Sequence, residues 1–141
     1  MRRRIVAVLA AGSMFVAFGP GEAVAKKYNT NVQATYDYSK NLISGSVSSS
    51  QSGCEANRRM TLYHLPGGDP AQQQKAGSGT TKSDGSYEIT ATVVPVVGDS
   101  WEIVAAQKVL NDESDKSDDR SALKRKKKKD RCKSGRKRIP A

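Results

Sequence analysis

"SYEITATVV", residues 86–94, decides the fold. Tyr87, Ile89, Ala91 and Val93 fall on one parity, and Glu88, Thr90 and Thr92 on the other. A helix would space its apolar residues by 3.6, so period two over this length marks a strand with one buried face. The alternation recurs on both sides. "NVQATYDY" (31–38) sets Val32, Ala34, Tyr36 and Tyr38 against Asn31, Gln33, Thr35 and Asp37. "LISGSV" (42–47) aligns Ile43, Gly45 and Val47, and "RMTLYHL" (59–65) turns Met60 and Leu62 inward. "SWEIVAA" (100–106) groups Trp101, Ile103 and Ala105.

Turn signals separate these runs: "SGC", "LPGGDP", "KAGSG", "KSDGS" and "PVVGDS". Asp84-Gly85 suits a tight hairpin that needs positive φ. No segment before residue 110 combines helical periodicity with caps. Short strands at regular spacing with Gly-rich turns predict an all-β chain, an antiparallel Greek-key β-sandwich.

The first residues set the compartment. "MRRRIVAVLAAGSMFVAFGPGEAVA" has a basic start (Arg2, Arg3, Arg4), an apolar stretch from Ile5 to Phe18, a helix-breaking "GPG", and small residues up to Ala25. This is the grammar of a secretory signal peptide cleaved after Ala25. The apolar run falls short of the roughly 20 residues a membrane-spanning helix needs. Export places the chain in an oxidising space, so Cys54 and Cys132 are expected to form one disulfide rather than stand as two free thiols. A loop of that length stabilises by roughly 4 to 5 kcal/mol. Two distant cysteines and one histidine do not make a metal ligand set, and no cofactor is implied.

The formal charge is +10, falling to +8 once Arg2, Arg3, Arg4 and Glu22 leave with residues 1–25. That leaves a β-sandwich body over 26–110, a charged excursion over 111–130, and a returning final strand over 131–141. In the excursion, "NDESDKSDD" carries five acids and then "RSALKRKKKKD" turns basic, a composition that cannot bury a core. Asp112, Asp115, Asp118 and Asp119 could offer oxygens to calcium. The loop lacks the turn-setting Gly and distal Glu of an EF-hand, and adjacent lysines compete for its carboxylates. A solvated loop is expected.

"KRKKKKDRCKSGRKR" (124–138) packs eleven cations into fifteen positions. Lys124, Arg125, Lys126, Lys127, Lys128, Lys129, Arg131, Lys133, Arg136, Lys137 and Arg138 are the candidate polyanion-binding residues. Their chemistry is sequence-independent, salt-sensitive attraction to wall or lipid phosphates, acidic polysaccharides or released nucleic acid. No aromatics interleave the run, so base stacking and specific nucleic-acid recognition are not indicated.

Other candidates weigh less. His64, the only histidine, shares strand parity with Met60 and Leu62 and has no identifiable nucleophile, so a structural strand-end role is expected. No serine sits in a Gly-x-Ser-x-Gly or Ser-x-x-Lys context, and a non-enzyme is expected. Trp101 has core parity. Tyr63, opposite in parity to Met60 and Leu62, is the best surface aromatic for sugar stacking.

"ISGSVSSSQSGCEANRRMTLYHL" (43–65), with Gly-x-Val leading to a cysteine and then an Arg before an alternating strand, resembles the entry of secreted transthyretin-like or carboxypeptidase-regulatory-like modules. "TTKSDGSYEI" (80–89), "SWEIVAA" and "CKSGRKRI" (132–139) resemble their later marks, so the resemblance covers about residues 30–139. It implies a transthyretin-like or Ig-like sandwich that binds, adheres or scaffolds without catalysis. The expected function is a secreted binding module engaging anionic envelope or extracellular polymers, with peripheral membrane contact as one form of it. The alternative is a carbohydrate-binding module using surface aromatics.

Overall fold

The structure, a computed structural model, describes residues 25–110 and 129–141. Its strands are β1 (Lys27–Tyr28), β2 (Thr30–Asp37), β3 (Leu42–Ser49), β4 (Arg59–Leu65), β5 (Gln74–Thr80), β6 (Ser86–Thr90), β7 (Ser100–Ala105), β8 (Lys108–Val109), β9 (Arg131–Cys132) and β10 (Gly135–Pro140). Among the described residues there is no α-helix, only three short 3-10 turns. Two antiparallel sheets, ordered β2-β3-β6 and β10-β7-β4-β5, face each other, and a small sheet β1-β9-β8 closes one end. The chain changes layer between β3 and β4, β5 and β6, and β6 and β7, which interleaves the sheets in the Greek-key manner. The all-β sandwich expected from the alternation is the observed fold.

Parity does what the sequence demands. Val32, Ile43, Val47, Met60, Leu62, Tyr87, Ile89, Trp101, Ile103 and Ala105 form one buried core between the layers. Burying each large aliphatic side chain stabilises by about 1.5–3 kcal/mol. Gly45 sits opposite Ala34 where β2 runs close beside β3: a Cβ there would collide with the Gln33 carbonyl. That carbonyl accepts the Tyr87 hydroxyl at 2.7 Å, and burial pushes the Tyr87 phenol up to about 12.

Four expectations need correction. "KAGSG" is not a turn but part of β5. Its glycines act by smallness, since a Cβ on Gly77 would lie 2.7 Å from the Ile89 side chain. Asp84-Gly85 does make a tight turn, with Gly85 at φ 82°. It joins β5 to β6 across two sheets, however, and so closes no hairpin. β6 ends at Thr90, four residues before the alternation does, because its partner β3 begins at Leu42, opposite Thr90. β2 stops at Asp37 for the same reason, which leaves Tyr38 in the turn and exposed.

The sandwich therefore has two distinct ends. One gathers residues 25–29, 49–58, 81–85, 106–110 and 129–134, and carries the disulfide. The other gathers the β2–β3 turn, residues 66–73, the 91–99 loop and Ala141.

Candidate functional site

The stapled end is built around Cys54 and Cys132, which form the expected bridge with Cα atoms 5.5 Å apart, both wholly buried. Arg58 lies beside it, 1% exposed. Its guanidinium donates to the carbonyls of Ala106 (2.9 Å), Cys54 (2.7 Å) and Lys133 (2.8 Å) and to the Thr30 hydroxyl (3.2 Å). One side chain thus holds the start of β2, the cysteine turn, the end of β7 and the basic segment together. Burial lowers the Arg58 pKa, yet a guanidinium satisfied by carbonyl dipoles keeps its charge. Lys108 works alike, donating to the Gly53 (2.9 Å) and Ala56 (2.6 Å) carbonyls.

On this frame β1 pairs with β9 in parallel, with Lys27 opposite Arg131 and Tyr28 opposite Cys132. Lys26, Lys27, Lys129, Arg131 and Lys133 are all exposed there. Cations from two chain segments a hundred residues apart therefore share one surface. Like charges placed this close favour an anionic ligand that bridges them.

The other candidates of the basic run separate. Arg136 and Arg138 lie on the outer face of β10 and flank the nearly buried Glu102 carboxylate at 4.0 and 3.5 Å. Glu102 tempers both charges, so they belong more to the sheet than to a ligand surface. Lys137, opposite Ile103, is exposed at the edge strand, where a charge discourages sheet-to-sheet pairing. Lys124, Arg125, Lys126, Lys127 and Lys128 lie outside the described residues, as do the acids Asp112, Asp115, Asp118 and Asp119 and residues 1–24 of the expected signal peptide 1–25.

The opposite end is an apolar tip on a polar brace. Val94, Val96, Val97 and Tyr38 are exposed, Val97 completely. Beneath them, Asp99 is buried and accepts from the Val96 amide (2.9 Å) and the Gly67 amide (2.9 Å). Its carboxylate also meets His64 Nε2 at 2.7 Å. The amides of Val96 and Gly67, then His64, hold the Asp99 carboxyl down at about 2. Asn41, at φ 49°, clasps the facing turn by donating to the Ala91 (2.9 Å) and Val93 (3.1 Å) carbonyls.

His64 is thus a strand-end brace, as its parity and isolation suggested. Trp101 is in the core, packed between Tyr36 and His64 with centroids 5.4 and 5.3 Å away. Tyr63 is half-buried, with Glu102 and Lys75 opposite it on the neighbouring strands. Tyr38 is instead the one exposed aromatic among the described residues. Among those residues no three His, Cys, Asp or Glu side chains gather as a metal site would require.

Arg58, Asp99 and Asp130 were not singled out in the sequence. Arg58 shares parity with Met60 and Leu62, which already marked it as inward-facing. Asp99 has one near partner, Val96, but His64 and Gly67 are more than thirty residues away, and the side-chain partners of Asp130 are more than a hundred, so neither left a local signal. Comparison with protein-family models, curated proteins and solved structures finds no match to this chain.

Proposed function

We propose that the chain is a secreted, non-enzymatic β-sandwich module of the transthyretin-like kind. In this reading its basic C-terminal region holds anionic polymers of a cell envelope or extracellular space. The carrying observation is the parallel β1–β9 pair, which sets Lys26 and Lys27 beside Lys129, Arg131 and Lys133 at the end fixed by the disulfide. A buried disulfide suits an oxidising compartment, which supports export. The engagement of His64 with Asp99 supports a bracing role over a catalytic one.

The ligand class is a repeating anion, sulfated or phosphorylated polymer or anionic lipid headgroup, recognised by charge density. Retention on heparin and on anionic vesicles tests this. The expected result is tight retention at low salt and release by several hundred millimolar, where screening shortens to a few ångströms. Absence of retention at low salt contradicts it. The second reading, a carbohydrate-binding module, is favoured by Tyr38, exposed and packed on Tyr36 at 4.6 Å. Binding to neutral polysaccharide that survives high salt and is lost in Tyr38→Ala would select that reading.

A further inference from the structure

Asp130 is the one acid among the fifteen residues 124–138. Among the described residues its carboxylate reaches to the beginning of the body. Oδ1 accepts the backbone nitrogen of Lys26 at 2.7 Å, and Oδ2 faces the Tyr28 hydroxyl at 3.4 Å. The Asp130 carbonyl meanwhile accepts the Leu110 amide at 2.9 Å, which fixes the residue from behind. Both carboxylate oxygens are therefore directed at the start of β1, 104 and 102 residues away in sequence.

In the uncleaved chain the Lys26 nitrogen is a neutral amide with one hydrogen. Hydrolysis after Ala25 adds water across the Ala25–Lys26 bond, leaving a carboxylate on Ala25 and an α-ammonium on Lys26. The same nitrogen then carries a positive charge and three donors. We propose that this cleavage completes the stapled end: the new α-ammonium of Lys26 becomes the ion-pair partner of Asp130. The proposal rests on the cleavage reading given above for the exported protein.

The pair has a structural task. β1 is two residues long and is held to β9 by Arg131 N–H to the Lys26 carbonyl and Lys133 N–H to the Tyr28 carbonyl, each 2.9 Å. A strand that short frays without an anchor at its open end. The ammonium–carboxylate contact supplies the anchor and keeps Lys27 opposite Arg131. The processed chain thus presents the assembled cationic surface, and the precursor presents it with a looser first strand. Among the described residues, the other charged or titratable groups next to the contact in chain or register are Lys27, Lys129 and Arg131, all exposed, and the Tyr28 phenol. Lys108 on β8 is turned away to the Gly53 and Ala56 carbonyls.

Four proteins test the proposal: one freed from a removable tag so that it begins at Lys26, one carrying a short neutral N-terminal extension, and each of these with Asp130→Asn. At pH 6 the protein beginning at Lys26 should melt about 2–4 °C above the extended one, the size expected of an exposed charge pair. Asp130→Asn should erase that difference. A paired ammonium holds its proton more tightly folded than unfolded. The advantage is therefore full below the α-amine's ordinary range, near pH 8, and is lost as pH rises beyond it. Equal melting of the two parents at pH 6, or a difference that persists in Asp130→Asn, overturns the proposal. If Asp130→Asn fails to fold, titration of the 15N-labelled Lys26 α-amine in the parent decides, and an amine titrating as in a free peptide overturns it. N-terminal sequencing of the exported protein checks the cleavage itself, and a first residue other than Lys26 overturns the proposal for the cell. Failure of heparin retention would strike the polyanion reading and leave this melting comparison intact.

Discussion

At the stapled end a buried cation, Arg58, holds three backbone carbonyls and a hydroxyl; at the tip a buried anion, Asp99, holds two backbone amides and an imidazole. Each end fixes its loops by the same device with the sign reversed. The charge of the buried group selects which half of the peptide dipole it gathers, and several dipoles together replace a counter-ion. The surfaces held up this way differ. The stapled end presents lysines and arginines, and the tip presents valines. Only the stapled end carries a covalent tie as well, and it is the end where like charges must be held together against their own repulsion.

The covalent tie should matter most. Cys54→Ser should lower stability by about 4 kcal/mol in chemical denaturation, since the bridge closes most of the described chain. It should also leave Cys132 open to thiol reagents once the end loosens. Labelling of both cysteines in the untouched, non-reduced protein would remove the stapled end from the comparison.

Arg58→Leu comes next, at about 3 kcal/mol, because the carbonyls of Cys54, Ala106 and Lys133 lose their donor inside the protein. Hydrogen exchange should quicken across β1 and β9 and remain slow at the tip. Uniform quickening would show that the two ends are not separately braced.

At the tip, Asp99→Asn should cost less and act locally, with faster exchange at the Gly67 and Val96 amides. The parent should show a matching acid response. The Asp99 carboxyl is depressed to about 2, so its contribution is complete above the ordinary carboxylate range. That contribution is lost as the pH falls toward 2. Exchange at Gly67 and Val96 that ignores pH between 4 and 2 would contradict the brace. Last, Val94→Ser and Val97→Ser should change stability by less than about 0.5 kcal/mol, since both side chains already face solvent. A larger loss would mean the valines support the fold.

The difference between the ends also explains what could be foreseen from sequence. The strands carrying Ile43, Met60, Ile89 and Trp101 announced themselves by alternation, and an export-like first segment with an even cysteine count led to the expectation of the bridge. β5 did not, because "KAGSG" owes its extended form to close packing under Ile89 rather than to β-branched residues. The ladder ends at Asp37 and Thr90 were set by where the partner strand begins, which alternation does not encode. Arg58 was legible by parity. The Asp99 brace was not, because a Gly-Asp pair in a turn looks the same whether or not a histidine waits 35 residues upstream. The basic run was plain, but not the return of Lys26 and Lys27 to its side, since the ties at Asp130 span the whole domain.

The central claim, that the stapled end binds polyanions by charge density, is tested most directly by the salt dependence of heparin affinity. The comparison is between the parent beginning at Lys26 and a variant with Lys27→Gln, Arg131→Gln and Lys133→Gln. The account predicts that log K for the parent falls steeply and linearly with log salt, and that the triple substitution lowers both the affinity and the slope while leaving the melting temperature nearly unchanged. Equal affinities and equal slopes for the two proteins would contradict it.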